Sequence, residues 1–383
     1  MMRLLYIENT LAIHGGIERV LVDKLNWLIE YGNCEVCLLT ANQADHPFVF
    51  PLHPQVTYHD LGIQFHQKYR YSGWKRICKE FQLHKLFQQR LTERIQEYSP
   101  QIIICTRLDY VYDVIKVKGN IPLVFESHDS CLAYRFERDT WLRRMQILFL
   151  HWQLRRAQMV ASLTQNDAKE WLKRVPHVQV IPNVVHLNET GRYSDCCSKS
   201  VIFVGRYSYQ KDIRTLLKIW EQVHQRHPDW SLHVFGGYGD EQETLPSLIQ
   251  RMGMNIVVHK PTSTIFEEYL RSSMLLMTSR YEPFGLVLPE AMSCGLPVVA
   301  FDCPYGPADI VTHEIDGFLV PERDVDRYVE YVCQLIENPE LRQTMGAAGI
   351  KTSQRYQADR IMPQWKKMFA SLTSKEPSSK KIG

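Results

Sequence analysis

The 383-residue chain has no run of about 18 apolar residues, so no bilayer-spanning segment is expected. It also lacks a strong charge of one sign. Lys and Arg number 45 against 42 Asp and Glu, a net +3, which without a reader motif does not point to nucleic acid. The ten cysteines form no paired framework, and the first residues lack a secretory pattern. A reducing, cytoplasmic setting is therefore expected. Cys34 and Cys37 make a C-x-x-C, but they fall in a strand-like run, 34–40. Residues three apart on a strand face opposite ways and no second ligand pair follows, which sets aside a metal or redox role. Cys196 and Cys197 sit in a polar stretch with no evident task.

What is present suits a soluble globular protein: 45% hydrophobic and 23% charged residues over a length that fits two domains. Short apolar runs alternate with helical patterns. Strands are expected at 3–7, 34–40, 56–60, 101–105, 123–126 and 159–163, and again at 200–204, 231–235, 256–259, 274–277, 297–301 and 316–320. Such alternation predicts parallel, doubly wound α/β sheets, which bind ligands beyond the carboxyl ends of their strands. The predicted division is 1–185, a linker at 186–199, a second domain at 200–355, a C-terminal helix at 356–372 and a disordered tail at 373–383.

Several strand ends carry chemistry. The first runs into a loop ending His14-Gly15-Gly16 and then a helix over 17–31, a place where backbone can approach a phosphate or sugar, although paired glycines are also plain turn chemistry. After 200–204 comes Gly205-Arg206-Tyr207-Ser208-Tyr209-Gln210-Lys211. Arg206 with its planar fork and Lys211 as a point charge could clamp a diphosphate. After 274–277 comes Ser279-Arg280-Tyr281-Glu282-Pro283-Phe284-Gly285-Leu286-Val287-Leu288-Pro289-Glu290, with a helix predicted to start between Gly285 and Leu288 and to stop at Gly295. Its free N–H groups would favour an anion. Glu282 flanks that start from the loop, and Glu290, about one turn in, could accept two hydroxyl hydrogen bonds. The run Gly236-Gly237-Tyr238-Gly239-Asp240 is no dinucleotide fingerprint, since Gln242 stands where the third glycine belongs.

The frame Glu282-x-Phe284-Gly285-Leu286, followed by Glu290-Ala291-Met292, Gly295 and Pro297-Val298-Val299, resembles the retaining family-4 glycosyltransferases of GT-B fold, in particular those of bacterial surface polysaccharides. Gly15-Gly16-Ile17-Glu18 is similar to that family's N-terminal glycine loop, the spacing from Arg206 to Lys211 to its phosphate-binding pair, and Gly237-x-Gly239-x-Glu241 to its nucleotide loop. The sequence departs from the pattern at Val184 and Pro261, where glycine is usual, and at Asp309, where glutamate is usual; Gly306 is expected to keep turn freedom.

The resemblance covers about residues 2–372 and implies two Rossmann-like domains facing across a cleft, with the C-terminal helix crossing back to the first. It implies a nucleotide-sugar donor, UDP-linked by expectation, held mainly by the second domain through Arg206, Lys211, Phe284, Gly285, Leu286 and Glu290, with Gly15 and Gly16 facing it. Glu282 would orient the transferred hexose or N-acetylhexosamine, Glu290 would bind ribose hydroxyls, and His128 would contact the donor sugar. The acceptor would be a glycan or lipid-linked saccharide. No D-x-D pair falls on a predicted loop, so no cofactor or metal is expected. A non-catalytic sugar-nucleotide or glycan-binding module, an inverting transferase and an epimerase of this fold remain alternatives.

Basic character belongs to the first half, where 1–185 holds 23 Lys and Arg against 18 Asp and Glu. Residues 67–94 and 141–156 interleave Lys and Arg with Trp, Phe, Ile and Leu. Each reads either as a core-facing helix with a solvated back or as a face meeting anionic lipid on the inner side of the cytoplasmic membrane.

Overall fold

The computed structural model describes residues 1–13, 15–136, 140–237, 239, 247–249 and 252–374. The expected tail beyond 374 lies outside them, as do His14, Tyr238, Asp240, Glu241 and Gln242. The chain divides into two units, one of residues 1–184 together with the chain from 358 on, the other of 185–357.

In the first unit, β1 (Met2–Glu8), β2 (Cys34–Thr40), β3 (Thr57–Asp60), β4 (Ile102–Cys105), β5 (Leu123–Glu126), β6 (Met159–Ser162) and β7 (Val178–Val180) form one parallel sheet, in the order β3-β2-β1-β4-β5-β6-β7. β4 is Ile-Ile-Ile-Cys and buried throughout, as expected for a strand covered on both faces. β7 was not anticipated: three half-buried residues are too few for a periodicity signal. The order reverses between β1 and β4, the switch point at which such sheets open a crevice.

The second unit repeats the plan with β8 (Ser200–Arg206), β9 (Ser231–Gly237), β10 (Ile256–His259), β11 (Met274–Met277), β12 (Val298–Phe301) and β13 (Gly317–Val320), in the order β10-β9-β8-β11-β12-β13. Its switch point lies between β8 and β11. Phe203, Leu216, Trp220, Val234, Leu276 and Tyr328 belong to its core.

One segment falls as expected and one does not. The helix Ala358–Thr373 gives Ile361, Met362, Trp365, Met368 and Phe369 to the core of the first unit, beside Leu4, Tyr6 and Leu25. The stretch 186–199 is not a free linker but is fastened onto the second unit. Asn188 N donates to Ser293 Oγ, Ser194 Oγ to the Ser272 carbonyl, and Arg342 Nε to the Cys196 carbonyl. Cys196 is therefore buried, a role that its polar sequence neighbours concealed. Among the described residues no helix is long and apolar enough to cross a membrane.

Candidate functional site

Two loops meet at the switch point of the second sheet, one leaving β8 and one leaving β11. Hydrogen bonds tie them: Arg280 N donates to the Gln210 carbonyl at 2.8 Å, and the Thr278 hydroxyl to the Lys211 carbonyl at 3.0 Å. Lys211 Nζ stands 2.5 Å from Glu282 Oε2, which also accepts from Ser279 Oγ at 3.0 Å. A cation and a carboxylate expected to serve the same ligand are thus in contact, both largely shielded from solvent. Lys211 passes over Gly205, where an added Cβ would come 3.4 Å from Lys211 Cγ. Arg206, the last residue of β8, is exposed.

Glu282 is fixed through its main chain. Its N–H donates to the Pro304 carbonyl, and its own carbonyl accepts from Tyr305 N at 3.0 Å and Gly306 N at 2.7 Å. Gly306 does not supply turn freedom, since its φ of −71° suits any residue. It supplies space instead: a Cβ there would lie 1.9 Å from the Phe284 carbonyl oxygen. Gly285 does need glycine, with φ of +99°.

The expected helix spans Val287–Ser293 with Leu286 at its N-cap. It ends in a Schellman motif, in which Gly295 (φ +83°) N donates to the Met292 carbonyl and Leu296 N to the Ala291 carbonyl. Seven residues carry a small dipole, so most of the positive charge here comes from side chains. Phe284 is buried edge-on to Tyr356, and Glu290 Oε2 accepts from the buried Tyr269 hydroxyl at 3.3 Å. Burial, then Glu290, pushes the Tyr269 phenol above its ordinary pKa, so it remains a donor.

Sequence reasoning gave no ligand-site role to Asp212, Arg280 or Arg323. Asp212, in left-handed conformation (φ +49°), holds Arg280 Nη2 at 3.0 Å and pairs with Arg323, while Arg280 stacks 4.3 Å above Tyr209. Only the loops' convergence in space reveals this cluster. The sequence does contain a D-x-D, Asp324-Val325-Asp326. Asp324 caps a helix, accepting from Arg327 N at 2.9 Å, and so serves structure.

In the first unit, Gly15 precedes the helix Gly16–Glu30 in extended conformation, and Glu18 folds back to where a Gly15 Cβ would point. At the switch point Glu8 Oε2 accepts from Thr106 Oγ1 at 2.5 Å, with Arg107 Nε 3.8 Å from its other oxygen. His128 sits just beyond β5 and lines a hollow of about 130 Å³ with Thr106, Arg107 and Asp129. Its Nε2 is 3.2 Å from Glu126 Oε1, off the line of N–H donation. Glu126 is buried; burial alone would raise its pKa, but Lys24 and His128 hold it down to about 2. Lys24 bonds Glu126 and lies 3.8 Å above the Trp365 ring. The fields converge here. Burial and Glu8 push the Glu18 carboxyl up, against Arg107 and His128.

Residues 14–189 match the model of glycosyltransferase family 4, and 197–352 that of glycosyl transferases group 1. An amylovoran biosynthesis glycosyltransferase of Erwinia amylovora is 33% identical over 220 residues, 55% of this chain and 61% of that protein. An exopolysaccharide phosphotransferase of Streptomyces coelicolor is 32% identical over 222 residues, 56% of this chain and 23% of that protein. The chain thus aligns with well under the full length of these relatives. Among solved structures, Anabaena HepE in complex with UDP superposes with TM-score 0.76 at 18% identity, covering 97% of this chain and 100% of that one. Sucrose-phosphate synthase of Thermosynechococcus elongatus gives 0.79 at 19%, covering 97% and 99%. Identities this low speak for a shared fold. With one glycosyltransferase model over most of each unit, and both units built on the parallel sheets that these solved structures share, the chain belongs to the family-4 glycosyltransferases of GT-B fold.

Proposed function

We propose that the protein is a retaining, metal-independent glycosyltransferase. It moves a hexose or N-acetylhexosamine from a UDP-sugar to a glycan or lipid-linked saccharide in surface polysaccharide synthesis. The observation that carries this reading is the Lys211–Glu282 contact at the switch point between β8 and β11. A cation touching a carboxylate matches a donor whose anionic diphosphate adjoins a hydroxyl-bearing sugar.

As the bond from the anomeric carbon to the diphosphate oxygen breaks, negative charge collects on the leaving group. Lys211, held against Glu282 in advance of the reaction, and the exposed Arg206 supply positive charge there. Glu282, locked through its backbone to Pro304, Tyr305 and Gly306, accepts from sugar hydroxyls and sets the ring orientation. Glu290 accepts from ribose hydroxyls, with Tyr269 fixing its carboxylate. His128 and the Gly15–Gly16 loop serve the sugar and the acceptor. The acceptor hydroxyl attacks on the face the diphosphate leaves and gives its proton to the departing phosphate oxygen. The relatives named for amylovoran and exopolysaccharide, and the UDP bound by a protein of the same fold, support the substrate classes.

The test is UDP release from a panel of UDP-, GDP- and ADP-sugars with and without EDTA, in wild type and Glu282→Ala. Turnover unaffected by EDTA, lost by about 100-fold or more in the variant, and giving a product of retained configuration by NMR is expected. Binding without turnover on any donor would favour a sugar-nucleotide-binding module. An inverted product would make the enzyme an inverting transferase.

A further inference from the structure

The helix Trp141–Gln153 turns its apolar face the wrong way. Trp141, Leu142, Met145, Leu148, Phe149 and Trp152 fall at i, i+1, i+4, i+7, i+8 and i+11, a single stripe, and all are exposed. The opposite side, with Ile147 and Leu150, already packs inward, so this stripe is surplus to the core. The helix Gly73–Tyr98 repeats the pattern. Leu83, Phe87, Leu91 and Ile95 are buried, while Trp74 (75% exposed), Ile77 and Phe81 (72% exposed) form a second stripe at its amino-terminal end. The stripes are neighbours, because Ile77 and Arg76 of one helix and Leu142 and Arg143 of the other line the same hollow of about 800 Å³.

The charge around them is mostly positive. Residues 67–94 hold eight Lys and Arg against Glu80 and Glu93, and Glu80 is taken up by Lys68. Residues 141–156 hold Arg143, Arg144, Arg155 and Arg156 and no acid. Arg143 is paired with Asp109, which leaves exposed Arg144, Arg155 and Arg156 beside the apolar stripe. Tryptophans among arginines, on helices too polar to span, are the chemistry of a surface lying in the headgroup layer of an anionic membrane.

We propose that these two helices dock the first unit on an anionic lipid bilayer, the aromatic stripes entering the interface and the Lys and Arg side chains meeting lipid phosphates. The inference holds whichever sugar is transferred, because the site residues take no part in it.

The experiment is flotation of the full chain with vesicles of phosphatidylcholine alone or with about 30 mol% phosphatidylglycerol, at low and high salt. Wild type should float with the anionic vesicles, weaken as salt screens the charge, and stay in solution with the neutral ones. Trp141→Ser/Trp152→Ser, and separately Trp74→Ser/Phe81→Ser, should each lower partitioning by about tenfold. Their thermal midpoint should not change, since the side chains are exposed. Wild type that ignores anionic vesicles, or variants that float as well as wild type, would overturn the proposal. So would a wild-type dimer, detected by size-exclusion chromatography with light scattering, that dissociates in the variants without any lipid binding, because the stripe would then be a contact between copies.

Discussion

A methyl group on residue 306 would have to enter the Phe284 carbonyl oxygen, 1.9 Å from the Cβ position. Backbone on both sides leaves no flexible side chain to yield, so Gly306→Ala should destabilise the second unit by about 1–3 kcal/mol. The same segment pairs with the Glu282 main chain, so the carboxylate should move with it. Well below the melting temperature kcat should therefore still fall. A lower midpoint with unchanged kcat would separate the loop from the catalytic geometry.

A second residue-scale effect concerns pH. His151 and Asp167 both contact Trp171, one ring on ring at 4.9 Å, the other accepting from the indole N–H at 2.9 Å. Burial, then Arg174, lowers the His151 pKa to about 4, whereas burial raises that of Asp167 to about 6 despite three hydrogen bonds to its carboxylate. The signs are opposite. A depressed histidine contributes stability that is whole above its unfolded value near 6.5 and is lost as pH falls toward 4. A raised aspartic acid binds its proton more tightly when folded, so folding gains as pH falls from 6 toward 3.8. Between pH 6 and 4 the two offset. His151→Phe should flatten the acid loss of stability, by on the order of 3 kcal/mol across the window, and Asp167→Asn should steepen it. Denaturant midpoints at pH 4, 5, 6 and 7 in the three proteins check this, and parallel curves would refute it.

At the scale of elements, the helix Ala358–Thr373 illustrates what sequence shows and what it does not. Its amphipathic pattern is plain from the residues, whereas its return to the first unit was expected only through the family resemblance, because periodicity does not say which core a helix completes. Ile361, Met362, Trp365, Met368 and Phe369 enter the first unit's core, and Trp365 lies over the buried Lys24 that neutralises Glu126. Trp365→Ala should therefore cost about 3–5 kcal/mol, a large-to-small change that also strips a cation of its aromatic cover. Chemical denaturation should show the loss in the first unit. If residues 185–357 lost protection from hydrogen exchange instead, the helix would have been assigned to the wrong core.

Strands legible as short apolar runs were placed within a residue or two, since a strand buried on both faces advertises itself by hydrophobicity alone. β7, three half-buried residues long, carried no such signal. Among the candidate site residues, Arg206, Lys211, Glu282 and Glu290 stand out through motif spacing. The Lys211–Glu282 contact and the cluster of Arg280, Arg323 and Asp212 do not, because each joins residues 68 or more positions apart. Cys196 shows the same limit: its neighbours in sequence are polar, whereas its neighbours in space are Gly295 and Arg342.

For the molecule as a whole, each sheet carries its own switch point, and the charged loops at the two are chemically unlike. The second holds Arg206 and Lys211, with Glu290 fixed by a tyrosine, a set suited to phosphate and ribose. The first holds Glu8 and Arg107, with Glu126 and His128 at the end of the next strand but one, β5, groups suited to hydroxyls. The nucleotide should therefore engage one unit alone. UDP without a sugar, at about 100 times its Kd, should stabilise the protein by about 2.7 kcal/mol and slow amide exchange in 205–212 and 279–290. The loops at Gly15–Gly16 and 126–129 should exchange as in the free protein. Lys211→Met should weaken that binding, because the diphosphate loses its point charge, while Trp141→Ser/Trp152→Ser should leave it intact. Protection by UDP of the first unit's strand ends, with none at 205–212, would reverse the assignment of nucleotide to the second sheet.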